Sequence, residues 1–113
     1  MFLRPLSIIE DRFGKMSEEK RPIISPVACF RHSTKEYAID FELPGVDKEH
    51  IELTVFPQSV CVAGSRDDVE FAGCWTLTHE VDENKAETTY ENGLLRLRIP
   101  LKKPVQGKII EIK

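Results

Sequence analysis

The sequence predicts an all-β protein: an antiparallel, immunoglobulin-like β-sandwich preceded by a short amphipathic helix. Three observations carry the prediction. From Val27 onward, apolar and polar residues alternate with a period of two in short runs. Turn residues separate the runs, with Pro44-Gly45 closing one and Asn92-Gly93 joining two others. No stretch in this part of the chain has the apolar repeat of a convincing helix, and many short strands with turns between them fit a sandwich.

Residues 1–26 differ in kind. Phe2, Leu6, Ile9, Phe13 and Met16 are spaced 4, 3, 4 and 3, which places them on one helical face. Ser7-Ile8-Ile9-Glu10 has the form of a capping box, so the helix starts near Ser7 and Phe2 and Leu6 lead into it. Gly14 weakens its far end by about 1 kcal/mol relative to alanine. So short a helix is not stable alone in water and must dock: on its own sandwich, on a partner, or on an unfolding protein. Pro22 and Pro26 disfavour helix in the residues before them, and 17–26 reads as a linker. The expected organisation is therefore an arm and linker, 1–26, and a sandwich domain, 27–113.

Strands are expected at about 27–32, 36–43, 50–56, 59–65, 73–79, 86–91, 94–100 and 108–112. Tyr37, Ile39, Phe41 and Leu43 share one face, with Glu36, Ala38, Asp40 and Glu42 on the other. Ile51, Leu53 and Val55 repeat the pattern against Glu52 and Thr54. Asn92-Gly93 between two alternating runs is the strongest short hairpin signal in the chain.

Composition narrows the function. At 113 residues there is room for one domain, and a net charge of −3 with both signs interspersed gives no basic stripe for nucleic acid. No window approaches the ~20 apolar residues of a membrane span, and the N-terminal apolar run is too short for a signal peptide, so a cytoplasmic protein is expected. Three cysteines, Cys29, Cys61 and Cys74, without C-x-x-C spacing argue against a disulfide framework or a zinc ribbon. They read as small buried hydrophobes in a reduced compartment.

Catalysis needs convergent groups, and the sequence offers none. His32, His50 and His79 are far apart, and His79 and Glu80, adjacent on a strand, point to opposite faces. There is no nucleophile elbow and no phosphate-cradling glycine loop. Glu49, Glu52, Asp67, Asp68 and Glu70 read as solvated faces and turns. No enzyme, metal or cofactor is expected. The remaining chemistry is apolar surface, because small sandwiches expose sheet edges and a groove between the sheets that accept an added strand. Gly107-Lys108-Ile109-Ile110-Glu111-Ile112-Lys113 has the form of such a strand, either exchanged with a neighbour or as the last strand of its own domain.

Residues 27–112 resemble the α-crystallin domain of the small heat-shock proteins. The resemblance rests on Leu43-Pro44-Gly45-Val46 followed by Asp47-Lys48-Glu49-His50-Ile51, on Tyr90-Glu91-Asn92-Gly93-Leu94-Leu95, and on the tail Ile110-Glu111-Ile112, in that order. It implies an ATP-independent chaperone, a holdase that binds unfolding proteins and prevents their aggregation. Carried over residue by residue, Ile110 and Ile112 are tail anchors. Ile51, Leu53 and Val55 with Thr88 and Tyr90 line the receiving groove, and the arm residues Phe2, Leu6, Ile9, Phe13 and Met16 serve clients or assembly. The chain departs from the family at Ala86 and Thr88, where isoleucine and alanine are usual, at Gly73, where arginine is frequent, and at Thr78 in place of proline. Only Asp67 to Cys74 separate Arg66 from Trp75, so the family's swapped mid-domain strand is missing. Self-association is expected, but not by that swap. The short loop also resembles α-crystallin-like modules attached to targeting ATPases and, more distantly, CS-type co-chaperone domains. These imply a second reading, a non-catalytic adaptor for a specific partner such as a targeting ATPase or a chaperone.

Overall fold

The computed structural model describes residues 21–113. Among them are eight strands: β1 (Ile23–Ile24), β2 (Ala28–His32), β3 (Glu36–Glu42), β4 (Ile51–Phe56), β5 (Ser59–Arg66), β6 (Val69–Thr76), β7 (Glu87–Glu91) and β8 (Leu94–Pro100). Single 3-10 turns occupy Lys48–His50 and Glu83–Lys85, and no α-helix occurs among the described residues. The strands form two four-stranded sheets, β1-β6-β5-β4 and β2-β3-β8-β7. All pairings are antiparallel except β1 with β6. The two-layer sandwich predicted from alternation is the observed architecture. The predicted arm helix lies outside the described residues.

The core is made where the inward positions of both sheets meet. Tyr37, Ile39, Phe41 and Leu43 from the first predicted face are buried, against Val60, Val62 and Phe71 of the other sheet and Leu95, Leu97 and Ile99 of β8. Leu77, Val81 and Leu101 close one end. The Asn92-Gly93 hairpin forms as expected: both residues have positive φ, 52° and 79°, as a two-residue turn matched to strand twist requires.

Four expectations are corrected. The strand expected at 73–79 runs from Val69 to Thr76, because Asp67-Asp68 form a two-residue turn and pairing with β5 resumes at Arg66↔Val69. Leu77 then leaves the ladder, its N–H donating to the Gln58 carbonyl. Ile23 and Ile24, in the expected linker, pair with Glu70 and Phe71. The tail at 108–112 forms no strand, and Ile109, Ile110 and Ile112 are 96%, 66% and 89% exposed. Glu70 is no solvated carboxylate: it is buried and bridged by Arg21 at 3.1 Å, as a buried charge requires.

The cysteines also differ from expectation. Cys61 and Cys74 are joined by a disulfide and Cys29 is free and exposed. Their pairing follows from the turn: closing β5 and β6 at Arg66↔Val69 sets Cys61 directly opposite Cys74, with Cα atoms 4.1 Å apart.

Candidate functional site

Both sheets end on the same side of the sandwich, one with β4 and the other with β7. These edges do not pair, and a cleft of about 470 Å³ opens between them. Ile51, Leu53 and Val55 form one wall, Ala86, Thr88 and Tyr90 the other, and Leu95 lies beneath. Lys48 and Glu83 stand at its rim. Strand parity places these side chains: Leu53 and Val55 pair with the buried Val62 and Val60, and Thr88 and Tyr90 pair with Leu97 and Leu95. They lie on the core-facing side, yet β4 has no neighbour beyond it, so all six of its residues remain half-buried. An apolar surface on core-like positions with one flank open suits a strand whose side chains alternate between cleft and solvent.

All five groove residues expected from the sequence are thus brought together. Ala86, Leu95, Lys48, Glu83 and Thr89 were missed. Ala86 shares parity with Thr88 and Tyr90, and that signal would have found it; Leu95 follows from the hairpin register. The predicted anchors Ile110 and Ile112 are not in the cleft of their own chain but exposed beyond Val105, whose N–H donates to the Thr34 carbonyl. The arm residues lie outside the described part.

Tyr90 fixes the end of the cleft. Its hydroxyl lies 2.8 Å from the Leu43 carbonyl and 2.6 Å from that of Val46, straddling the Pro44-Gly45 turn. The Arg66 guanidinium also donates to the Pro44 carbonyl. Burial raises the Tyr90 pKa above its ordinary value of 10.0, and Asp47 adds to the rise. A raised folded-state value contributes stability that is present below pH 10 and is lost as pH rises through it. Tyr90→Phe should cost about 1 kcal/mol at neutral pH and make the loss of stability above pH 10 less steep. Thermal melts from pH 8 to 11 check both.

The outer face of sheet β2-β3-β8-β7 carries a cleft of about 690 Å³ in which Arg31, Arg96 and Arg98 alternate with Glu36, Asp40 and Glu87. Arg31 bridges Asp40 at 3.1 Å and Arg98 bridges Glu36, so the charges cancel. The fold brings His32 and His79 together, with ring centroids 5.2 Å apart beside Tyr37, but no group of three metal-ligating side chains exists among the described residues. Nor is any helix among them long and apolar enough to cross a membrane.

Comparison with known proteins places this geometry. Residues 30–113 match the sequence model described as the Hsp20/alpha crystallin family. The chain is 27% identical to 18 kDa antigen 2 of Mycobacterium avium over 107 residues, spanning 82% of this chain and 77% of that protein. It is 24% identical to the probable 15 kDa heat shock protein of Leptospira interrogans over 106 residues, spanning 81% and 82%. Among solved structures, heat shock protein 16.0 from Schizosaccharomyces pombe superposes with a TM-score of 0.66 at 24% identity, over 79% of this chain and 98% of that one.

Proposed function

The chain belongs to the Hsp20/alpha crystallin family of non-catalytic chaperones, and from that premise we propose that it is an ATP-independent holdase that binds unfolding proteins through the β4–β7 cleft and the N-terminal arm. The observation that carries this reading is the pairing, in one chain, of an open apolar cleft with an exposed apolar tail. Ile110 and Ile112 lie two apart, as residues on one face of an extended strand do, and the cleft walls are lined at the same spacing by Ile51, Leu53 and Val55. The tail of one copy entering the cleft of another would link subunits, and an unfolding client with the same alternation would compete for it. Burying a few hundred Å² of apolar area yields several kcal/mol before ordering costs, so single sites are weak and assembly supplies the avidity.

The cytoplasmic setting expected from the sequence belongs to this reading. The Cys61–Cys74 bond is its point of tension, since most cytosolic cysteine pairs are kept reduced.

One observation favours the adaptor reading. The turn between β5 and β6 is only Asp67-Asp68, leaving no mid-domain segment for the exchange that builds many large assemblies of this family. Light scattering of a heat-labile protein at its unfolding temperature, without nucleotide, separates the two. A holdase suppresses the scattering at a near-equal subunit ratio and does so less well without residues 1–16. A folded chain that suppresses nothing is an adaptor.

A further inference from the structure

Strand β2 is the outer strand of its sheet, and no strand of the described residues lies beyond it. On its inner side, the Glu42 N–H donates to the Val27 carbonyl at 2.9 Å and the Ser33 N–H to the Glu36 carbonyl at 2.9 Å. Antiparallel ladders alternate, so Cys29↔Asp40 and Arg31↔Ala38 are the hydrogen-bonded pairs between these two. The N–H and C=O groups of Ala28, Phe30 and His32 therefore point away from β3, along the open edge.

We propose that a second copy of this chain fills that edge, β2 against β2, antiparallel about a two-fold axis at Phe30. The sheets of the two copies then join as β7-β8-β3-β2-β2-β3-β8-β7. In this register Phe30 faces Phe30 of the second copy, and Ala28 faces its His32. Each of these pairs uses the outward groups and exchanges two backbone hydrogen bonds, so the free edge is complementary to itself.

Side chains agree with this register. Cys29 lies opposite Arg31 of the second copy, so no like charges are directly opposed, and Arg31 is already neutralised by Asp40. The other edge of the same sheet behaves differently. Pairing β7 with itself about Thr89 would set Glu87 against Glu91 of the second copy, which like-charge repulsion disfavours. Apolar surface also collects at the β2 side: Ile24, Val27 and Phe30 are exposed, whereas unprotected edges are usually blunted by charge. Phe30 is held in place by Trp75 and Phe41, at centroid distances of 5.9 and 6.3 Å, so the residue on the axis is pre-oriented. The Asp67-Asp68 turn leaves no mid-domain strand that a neighbour could lay on this edge instead. Because β2 and the β4–β7 cleft lie on opposite sides of the sandwich, the pairing is compatible with tail exchange, and it holds for a holdase or an adaptor alike.

Cysteine cross-linking of the full chain tests the register. In Cys29→Ser with Phe30→Cys, the two new thiols face each other in a hydrogen-bonded pair with Cα atoms about 5.5 Å apart, within disulfide range. Arg31→Cys in the otherwise native chain retains Phe30 and sets the new thiol opposite Cys29 of the second copy. Mild oxidation should convert most of either protein to a covalent dimer on a non-reducing gel. Cys29→Ser alone, and Cys29→Ser with Thr89→Cys on β7, should stay monomeric. If both β2 variants melt cooperatively yet remain uncross-linked, the proposal is overturned. It is equally overturned if the Thr89 variant cross-links in their place, or if the native chain is a monomer by solution mass. A cross-link that forms only once residues 106–113 are removed would assign the edge to the tail and overturn it too.

Discussion

Replacing Ile110 and Ile112 together by serine should collapse the assembled protein to its smallest unit while leaving the sandwich as stable as before. Both side chains are largely exposed and no backbone ladder holds them, so the fold loses almost nothing, within about 0.5 kcal/mol. If each isoleucine is buried in the cleft of a neighbouring copy, each contributes about 2 kcal/mol to that contact. Losing about 4 kcal/mol weakens the contact roughly a thousandfold, enough to dissolve a contact that was weak per site. Light scattering reads the mass and thermal unfolding the stability. Unchanged mass would remove the tail from assembly. A lower melting temperature would mean that the tail pairs with its own domain in solution.

The second large effect is at Gly93, where alanine should destabilise the domain by about 2–3 kcal/mol. The residue sits at φ 79°, where an L side chain costs about 1–2 kcal/mol. An added Cβ would also stand 3.0 Å from the Pro44 Cα. That atom cannot retreat freely. The Leu43 N–H donates to the Gly93 carbonyl at 2.7 Å, and the Tyr90 hydroxyl holds the carbonyls on either side of the Pro44-Gly45 turn. For a domain of this size the melting temperature should fall by about 10–20 °C. Gly107→Ala, with nothing within 4 Å of the new Cβ, is the control and should leave the melt unchanged. An equal response at both positions would refute the hairpin account. Because the hairpin sets Thr88 and Tyr90 in register with Leu97 and Leu95, the same substitution should also weaken binding in the cleft.

How far the fold was legible depends on the strand. Where alternation met a recognised turn, as at Tyr37 to Leu43 and on both sides of Asn92-Gly93, strand, face and register were all readable. Ile51, Leu53, Val55, Thr88 and Tyr90, carried over from the family resemblance, line one cleft, and strand parity accounts for their common side. Strand β6 was misread for an identifiable reason. Asp67-Asp68 is not a strong hairpin signal, and Glu70 has the character of a solvated carboxylate, so the sequence marks the strand only from Gly73. With the turn placed, Arg66↔Val69 fixes every pair that follows, including Cys61 with Cys74. That one missed turn accounts for both the strand boundary and the disulfide.

The sequence by itself determined the class of the fold, its hydrophobic faces and its hairpin, because these depend on local periodicity and on residue types. The tertiary structure alone decided which strands lie at the edges, that β4 and β7 leave a cleft, that Arg21 neutralises Glu70 across 49 positions of sequence, and that the tail stands free of its own domain. The reason is physical. Alternation says which way a side chain points relative to its own strand, but it is blind to what lies beside that strand. Burial of a charge, opening of a cleft and the freedom of an edge are properties of neighbours brought together by long-range pairing.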